Sequence, residues 1–445
     1  MTGSDTRRRR TLGGAFWLAL YVGLSLLPLA IAFSYRDHPR RPFWTEFSVA
    51  LGFVALAMMG LQFAVTARFR NIAAPYGIDI ILRFHKQISI VAGALVLAHP
   101  IILFVTRPET IELLNPLTAP WRARFAVAAT VAVLALIGIS VWRRRLHLPY
   151  EAWRLAHGLL ATAAVAFALT HMELVGWYLD LPWKKALWAA MALAVIGLLI
   201  YVRFVVPSLL LRRPWVVDQV VPERGRAWTL FLRPVGHPGM RFAPGQFAWL
   251  TLGRSAFAVE DHPFSFSSSA IDNERIAFTI KNAGDFTQTV GGVAPGTTAY
   301  VEGPHGAFSI DRYDGNGYVF VAGGVGITPI MSMLRTLADR GDARRHLLIY
   351  GAPSVDDLTF LEELEALPDR IRLHIVQVLS SPPPDWRGET GRIDTTLLGR
   401  HLPEDRTAHK YFVCGPPDMM DAVERALRRS GVPWESIYTE RFNMV

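Results

Sequence analysis

The chain has 445 residues, of which 51% are hydrophobic, a formal net charge of +9 and one cysteine, Cys414. A single cysteine excludes an internal disulfide and a cysteine-based metal site. The arginines lie beside long apolar runs, so the basic charge indicates membrane topology rather than nucleic-acid binding. The apolar runs are confined to residues 1–210, whereas residues 214–445 have the composition of a soluble protein.

The first half contains six apolar stretches of the length needed to cross a bilayer, which is about 20 residues. The predicted membrane spans are 12–34, 45–67, 79–105, 122–142, 152–174 and 185–206. Arginines cluster at alternate connections, at positions 7–10, 68 and 70, 143–145, and 212 and 213. The positive-inside rule then predicts a multi-pass protein of the plasma (inner) membrane, surrounded by lipid, with both termini in the cytoplasm.

Two features oppose this topology. Arg36, Arg40 and Arg41 lie in the first outer loop. In addition, TRRRRTLGG before an apolar run is similar to a twin-arginine signal peptide, with AIA at 30–32 as a cleavage site. Because that apolar run is longer than a usual signal and the six spans close consistently, we expect a membrane span here.

Four histidines lie inside these apolar spans at equal spacings. The interval between His85 and His99 in the third span equals the interval between His157 and His171 in the fifth. On an α-helix, this interval of about 14 residues rises about 21 Å and turns about 1400°, which is about 40° short of four full turns. Each helix therefore shows two imidazoles on nearly one face. Since these two spans run parallel, we expect His85 level with His157 and His99 level with His171.

Facing imidazoles suit a haem whose iron takes both axial ligands from the protein. We therefore predict two b-type haems, an inner one on His85 and His157 and an outer one on His99 and His171. The alternatives are histidines that only bond to neighbouring polar groups, and zinc, which prefers three or four ligands in one cluster. Ionisable residues inside a membrane are costly and usually functional, which favours the haems.

Two arginines lie near the inner histidines. Arg154 precedes His157 by one helical turn, and Arg83 is close to His85 in the chain. Either side chain is a candidate partner for a haem propionate. The alternative is that both are ordinary arginines at the membrane surface.

Beyond residue 214 the pattern changes to short strands. AWTLFLRP (227–234), QFAWLTL (246–252) and RIAFTIK (275–281) alternate in hydrophobicity, and we expect turns in RFAPGQF and GGVAPGTTAYVEGPHG. Several such strands predict a small antiparallel barrel. From GYVFVAGGVGITPIMSMLRTLADRG (317–341) onwards strands alternate with helices, which predicts a doubly wound parallel sheet.

The first of these later strands ends in a glycine-rich turn, Gly323-Gly324-Val325-Gly326-Ile327-Thr328-Pro329. Glycines allow a backbone to approach a pyrophosphate closely, and helix N-terminal amides face it. Thr328 is expected to cap the helix and Pro329 to occupy its first turn. The spacing departs from G-x-G-x-x-G, so a tight turn without a ligand is the alternative.

Six motifs, taken in this order, resemble a known family. They are HPFSFSSS (262–269), KNAGDFTQTV (281–290), EGPHGAF (302–308), GGVGITP (323–329), VCGPPDMM (413–420) and the terminal ERFNMV. They are similar to the flavin and nicotinamide modules of ferredoxin reductases. Joined to six spans and four histidines, they resemble the NADPH oxidase and ferric reductase superfamily. The resemblance implies a six-helix membrane bundle at 1–211, an FAD-binding antiparallel β-barrel at 212–312 and an α/β doubly wound domain for NADPH or NADH at 313–445.

The resemblance also implies roles for individual residues. Those implied to hold the flavin are His262, Pro263, Phe264, Ser265, Ser267, Gly284, Thr287, Gly303 and Gly306. Those implied to receive the nicotinamide dinucleotide are Gly323, Gly324, Gly326, Thr328, Gly415 and Pro416. Three are implied to act in the chemistry: Ser265 near flavin N5, Cys414 near the nicotinamide, and Phe442, which would stack on the flavin until nicotinamide displaces it. The alternatives are a buried strand-end thiol for Cys414 and a packed tail for Phe442.

The cofactor preference departs from the family pattern. NADPH users often have a basic residue after the second strand of the nucleotide domain, where this chain has Ala352, Pro353 and Ser354. Arg387 or Arg392 would then have to hold the 2′-phosphate, and NADH remains open.

These features together predict a transmembrane NAD(P)H oxidase that passes electrons through FAD and two haems to dioxygen outside, giving superoxide. Arg36 and His38 would add positive potential near the outer acceptor. The alternatives are a ferric or cupric chelate reductase, an electron-transfer subunit for a partner protein, and a haem-free transporter fused to a flavin reductase.

Overall fold

The structure, a computed structural model, describes residues 3–34, 39–68 and 78–442, and the side chains of 14–34, 39–68 and 80–442. The chain forms two compact units. The first is built from the helices up to Val205, and the second holds the chain from Val206 onwards.

The first unit consists of six long helices. They are α1 (Gly3–Phe33), α2 (Phe43–Thr66), α3 (Ile78–Thr106), α4 (Trp121–Val141), α5 (Tyr150–Val175) and α6 (Pro182–Ile200), and a π-helical turn follows at Tyr201–Val205. Each contains a stretch long and apolar enough to cross a membrane, so the described chain has the six predicted spans. A proline precedes the first residue of α2, α4 and α5, where its missing N–H costs no helical hydrogen bond.

The core of this unit combines large and small side chains. Phe53, Tyr178 and Trp188 pack together at one end. Ala132 and Ala164 are buried between α4 and α5, where small residues let two membrane helices approach closely.

The second unit begins with α7 (Val206–Leu211) and a curled antiparallel sheet. Its strands are β1 (Trp215–Glu223), β2 (Ala227–Pro234), β3 (Phe247–Leu252), β4 (His262–Ser265), β5 (Ile276–Lys281) and β6 (Thr298–His305), and a short helix, α8 (Asp285–Thr289), lies between β5 and β6. The spatial order is β4-β3-β6-β1-β2-β5. The three predicted strands correspond to β2, β3 and β5, and the predicted antiparallel fold is confirmed.

The segment GGVAPGTTAYVEGPHG holds turns in its first half, as expected, but its second half is strand β6, which was not predicted. β6 pairs with β1 and β3, with Ala299 opposite Trp215 and Val301 opposite Leu250. The alternate residues Ala299 and Val301 are buried. Pairing on both sides and burial of one face override the local preference of glycine and proline for turns.

The rest of the second unit is a parallel sheet covered by helices. Its strands are β7 (Tyr318–Gly323), β8 (His346–Ala352), β9 (Leu373–Leu379), β10 (Glu389–Thr390), β11 (Lys410–Cys414) and β12 (Ile437–Glu440), in the order β10-β9-β8-β7-β11-β12. The helices are α9 (Ile327–Asp339), α10 (Leu361–Ala366), α11 (Thr395–His401) and α12 (Pro417–Arg429). The strand order reverses between β7 and β11, and ligands of such sheets bind at the carboxyl ends of the strands beside this point.

An arginine on α9 joins the two sheets of the second unit. Arg335 donates to the carbonyl O of Ser267 at 2.6 Å and to both carboxylate oxygens of Glu363 at 2.7 and 2.5 Å. The next residue, Thr336, accepts a hydrogen bond from the backbone N–H of Ala270 at 2.9 Å. These bonds fix the segment after β4 relative to the helix that follows the glycine-rich turn.

Candidate functional site

The imidazoles of His85 on α3 and His157 on α5 face each other. Their ring centroids are 6.3 Å apart and their planes are inclined by 63°. An imidazole nitrogen binds a metal at about 2.0 Å, and the ring centroid lies about 1 Å behind it, so two rings on opposite sides of one ion have centroids about 6 Å apart. The observed separation therefore fits one metal ion between these two side chains.

All four membrane histidines use Nδ1 for a hydrogen bond inside the protein. The acceptors are Gln62 Oε1 for His85 (2.7 Å), the Ser48 carbonyl for His99 (2.8 Å), Ser140 Oγ for His157 (3.2 Å) and the Arg122 carbonyl for His171 (2.7 Å). Because these acceptors place the proton on Nδ1, a neutral ring keeps a lone pair on Nε2. Across the described residues, no hydrogen bond reaches any of the four Nε2 atoms. Metal-bound histidines have this arrangement, with the second nitrogen donating to the protein.

The outer pair has a comparable setting. His99 on α3 and His171 on α5 are the outer candidate pair, and each ring uses Nδ1 for a hydrogen bond inside the protein. The ring of His99 lies against Gly52, where a Cβ would be 3.5 Å from Cγ and Nδ1 of the imidazole. The hydroxyl of Ser48 also donates to the His99 carbonyl at 2.8 Å. α3 and α5 thus each carry one candidate ligand near either end.

Sequence reasoning missed the partners of these histidines. Ser48 and Gln62 are isolated polar residues in an apolar span, and this was a readable signal. The hydroxyl of Ser140 and the carbonyl of Arg122 carried no signal, since many residues offer such groups.

The arginines near the inner pair are placed differently from one another. Arg154 is half-buried on α5 and Arg83 is exposed on α3. Arg203, which was not predicted, lies in the π-helical turn with Nη2 3.6 Å from the position of a Cβ on Gly158. Gly158 follows His157 in the chain, so Arg203 joins Arg154 beside the inner pair. The predicted outer residues Arg36 and His38 lie outside the described residues.

The candidate flavin residues of β4 form an aromatic surface. The ring of His262 stacks on Phe286 with centroids 3.9 Å apart, and Phe264 lies 6.0 Å from the same ring. Pro263 lies between them on β4. Ser265 ends the strand, and its buried hydroxyl has no hydrogen-bond partner in the part of the chain that the structure describes. Such an orphan group fits a ligand that offers a hydrogen bond there.

Two other predicted flavin residues have polar groups that are already bonded. Ser267 is fully buried, and its hydroxyl accepts from Thr279 Oγ1 at 3.0 Å. The hydroxyl of Thr287 accepts from the backbone N–H groups of Ala283 and Gly284, both at 2.8 Å. Ser267 is therefore bonded to a neighbouring strand side chain and Thr287 holds the local backbone, and the open space beside Gly284 is where a ligand has room.

Gly303 and Gly306 lie where β6 runs close to its neighbours. A Cβ on Gly303 would lie 2.8 Å from that of Ala248. Gly306 has φ +102°, and a Cβ there would be 3.2 Å from Glu440 Oε1. Glycine is required at Gly306 for conformation as well as space.

The glycine-rich turn after β7 corrects one prediction. Helix α9 begins at Ile327 after a 3₁₀ turn at Gly324–Gly326, so Thr328 lies in the first turn and is not the cap, whereas Pro329 is in the first turn as expected. The buried hydroxyl of Thr328 has no partner among the described residues. It therefore fits the predicted role of meeting a ligand rather than closing the helix.

The three predicted glycines of this turn have different surroundings. A Cβ on Gly326 would overlap the Cys414 carbonyl, and one on Gly323 would lie 2.5 Å from Met419 Sδ. Gly324 has φ +52° and open space around the Cβ position. Two of these glycines thus let the turns after β7 and β11 pack together, and Gly324 is the one with room for a ligand.

The turn after β11 holds the other predicted nucleotide residues. Cys414 is fully buried, its thiol donates to the Glu440 carbonyl at 3.4 Å, and burial raises its pKa well above the usual value. The thiol is therefore neutral near pH 7. Gly415 packs against Gly323, with a Cβ position 3.0 Å from its Cα, and Pro416 precedes α12. Phe442 is the last described residue and is 38% exposed.

The loop after β8 carries no arginine or lysine between Ala352 and Phe360. The hydroxyl of Ser354 donates to the carboxylate of Asp357 at 2.9 Å. Asp356 is almost fully exposed and lies 3.5 Å from Arg224. Arg387 and Arg392, the predicted alternatives for a 2′-phosphate, are exposed.

Three known domain families match the chain in succession. Residues 51–169 match the ferric reductase like transmembrane component, residues 232–307 match an FAD-binding domain, and residues 320–425 match the oxidoreductase NAD-binding domain. The chain therefore has domains that bind FAD and NAD(P)H behind a ferric reductase-like membrane domain.

Three relatives are similar to part of the chain. The propane 2-monooxygenase reductase component of Rhodococcus jostii is 30% identical over 236 residues, which is 51% of this chain and 62% of that protein. Ferredoxin–NADP reductase B of Sorangium cellulosum is 32% identical over 45% of this chain and 86% of its own length. The sulfhydrogenase 1 gamma subunit of Pyrococcus furiosus is 31% identical over 49% of this chain and 70% of its own length. The chain belongs to the ferredoxin reductase family of NAD(P)H-dependent oxidoreductases and joins that reductase to a ferric reductase-like membrane domain, the architecture of ferric reductases and NADPH oxidases.

Proposed function

We propose that the protein oxidises cytoplasmic NAD(P)H and reduces dioxygen to superoxide on the other side of the plasma membrane. The proposed parts are a di-haem membrane domain at 1–211, a flavin domain at 212–312 and a nucleotide domain at 313–445. The observation that carries the proposal is the common state of the four membrane histidines, each with Nδ1 bonded to the protein and Nε2 without a hydrogen bond among the described residues.

His85 and His157 would hold an inner haem, and His99 and His171 an outer haem. The 6.3 Å separation of the first two rings supports this assignment. Zinc in proteins usually has three or four protein ligands, whereas these histidines come together in twos. Arg154, with Arg203 beside it, would pair with propionates of the inner group.

In the soluble unit, the residues proposed to hold the flavin lie on β4, at the start of α8 and at the end of β6. The orphan hydroxyl of Ser265 would bond to the flavin edge, and the surface of His262 and Phe264 would lie along it. Thr328 and the open space at Gly324 would receive the dinucleotide, with Cys414 as a neutral buried neighbour. Phe442 would cover the flavin until nicotinamide takes its place.

The cofactors would supply the electron chemistry, since a flavin accepts a hydride and passes electrons singly and a haem carries one electron. The overall reaction balances as NAD(P)H plus two dioxygen giving NAD(P)⁺, a proton and two superoxide ions. His99 and His171 would both be used to hold the outer haem, which would supply single electrons to dioxygen. The proton would be released on the cytoplasmic side.

The test uses the full chain, made with ample haem supply and reconstituted in vesicles with NAD(P)H on the side of the soluble unit. We expect a haem absorption band, two haems per chain and dye reduction on the opposite side that superoxide dismutase abolishes. The matched variants are replacement of all four membrane histidines and replacement of the exposed His374. A colourless wild-type protein, or a full spectrum in the four-histidine variant, would falsify the haem assignment.

A second measurement separates the acceptors. A ferric chelate added outside is expected to leave most of the superoxide signal in place. If the chelate takes the electrons and superoxide disappears at equal NAD(P)H oxidation, the protein is a ferric chelate reductase. If haems become reduced but neither acceptor is consumed, the protein serves a partner protein instead.

A further inference from the structure

Helix α2 contacts both candidate ligands of α3. Gln62 Oε1 accepts from His85 Nδ1 at 2.7 Å, and the Ser48 carbonyl accepts from His99 Nδ1 at 2.8 Å. The interval between Ser48 and Gln62 in the chain equals the interval between the two histidines. On neighbouring antiparallel helices, equal intervals bring both polar pairs into register.

The amide of Gln62 is itself held in one orientation. Its side chain is 9% exposed, and its Nε2 donates to the hydroxyl of Tyr21 at 2.7 Å. The ring of Tyr21 packs edge-on against Phe84, with centroids 5.0 Å apart, directly before His85 in the chain. Because the amide nitrogen is used by Tyr21, the amide oxygen faces His85.

At the other end of α3, His99 is held mainly by a backbone carbonyl of α2. Ser48 is fully buried and offers its carbonyl to His99 Nδ1, with its hydroxyl also 2.9 Å from that nitrogen. Gly52, one turn along α2, leaves room for the face of the His99 ring. A side-chain substitution at Ser48 therefore leaves the main acceptor in place, whereas one at Gln62 removes it.

We propose that α2 orients the two α3 ligands, with Gln62 and Tyr21 as positioning residues for His85. By keeping the proton on Nδ1, Gln62 leaves Nε2 of His85 available toward His157. This inference rests on the proposed haem sites. The Gln62 amide supports the inner site, and a substitution can remove it without changing a histidine ligand. A hydrogen-bond acceptor on Nδ1 also raises the basicity of the ligating histidine.

The test compares the full chain carrying Gln62→Leu or Tyr21→Phe with wild type, all purified with added haem. Gln62→Leu is expected to weaken inner haem binding about 10- to 100-fold and to raise the reduction potential of that haem, because the ligand becomes less basic. Tyr21→Phe retains the ring packing and is expected to move the potential less, in the same direction. The readouts are haem content, the low-spin electron paramagnetic resonance signals and a redox titration that resolves the two haems.

Thr130→Val is the matched control, since the Thr130 hydroxyl bonds to the Ala126 carbonyl of its own helix. It is expected to leave both haems unchanged. The positioning role would be overturned if the reduction potential and the electron paramagnetic resonance signal of the inner haem stay at wild-type values in both Gln62→Leu and Tyr21→Phe. A wild-type protein without two haem signals would instead overturn the proposed function, so the two failures are distinct.

Discussion

His85 and His157, which lie on different helices and far apart in the chain, present their rings to each other with centroids 6.3 Å apart. The two side chains come from α3 and α5, so the pair exists only once these helices pack. The same packing leaves their Nε2 atoms without hydrogen bonds among the described residues.

Removing one member of each pair is expected to remove one haem. His157→Ala should lose the inner group and His171→Ala the outer one, so that each variant retains about half of the haem. Metal sites that lose a ligand rarely keep their geometry, and electron transfer to the acceptor should fall at least about 100-fold. Haem content and a redox titration check this, with His374→Ala as the control. Equal loss of both haems in each variant would contradict two independent sites.

Ser265→Ala is expected to separate activity from stability. The hydroxyl is buried and has no partner among the described residues, so its removal should change the free energy of unfolding by less than about 0.5 kcal/mol. Flavin reduction by NAD(P)H should slow about tenfold through loss of one hydrogen bond.

The comparison variant for this test is Ser267→Ala. Its hydroxyl bonds to Thr279, so it should lose about 1 kcal/mol of stability. Rapid-mixing absorbance and thermal unfolding measure the two effects. Equal changes in flavin reduction rate and in stability for both serine variants would contradict the assignment of Ser265 to the flavin edge.

Gly326→Ala is expected to destabilise the soluble unit by about 1–3 kcal/mol, because the new Cβ would overlap the Cys414 carbonyl and force the two turns apart. Gly399→Ala is the opposite case. Gly399 lies inside α11 with open space around it, and alanine there should stabilise by about 0.5–1 kcal/mol. Thermal unfolding of the full chain at one pH compares the two. A harmless Gly326→Ala would mean that the turns are not in close contact.

The stability of the soluble unit is expected to fall in mild acid because of His346. Burial lowers its pKa to about 4, while Nδ1 accepts from the backbone N–H of Tyr318 and Nε2 lies 3.4 Å from Asp342. The unfolded chain takes up a proton near pH 6.5, whereas the folded chain does so only near pH 4. Stability should therefore be full above pH 6.5 and fall by about 2 kcal/mol at pH 5.

His346→Gln provides the check on this pH dependence. Glutamine can still accept the Tyr318 hydrogen bond but does not titrate in this range. The variant should lose less stability than wild type between pH 7 and pH 5, measured by calorimetric unfolding. Identical pH profiles for the two proteins would exclude His346 as the source.

NADH is expected to be the better donor by about tenfold in kcat/KM. The loop after β8 offers Ser354 and the carboxylates of Asp356 and Asp357, and acidic residues at this position bind a ribose hydroxyl, whereas arginine accommodates a 2′-phosphate. Ser354→Arg should raise the use of NADPH. Steady-state rates with both nucleotides decide this. If Arg387→Ala or Arg392→Ala lowers the rate with NADPH alone, those arginines hold the phosphate instead.

The sequence by itself determined the membrane spans, the fold classes and the positions of the four histidines. Apolar length, the alternation of strand residues and the equal spacing of the histidines are local properties of the chain, and each follows from the geometry of one helix or strand. Strand β6 and the position of Thr328 were misjudged because pairing with β1 and β3, and the 3₁₀ turn at Gly324–Gly326, depend on neighbours distant in sequence.

Only the tertiary structure decided which groups meet. It placed Gln62 on His85 and the Arg122 carbonyl on His171, left the hydroxyls of Ser265 and Thr328 without partners among the described residues, and gave Gly326 a packing role. The physical reason is that hydrogen-bond acceptance and close contact are properties of pairs, and backbone carbonyls in particular have no sequence signal. A histidine in an apolar helix indicates a candidate metal site. The groups around that histidine decide which of its two nitrogens is left to face the site.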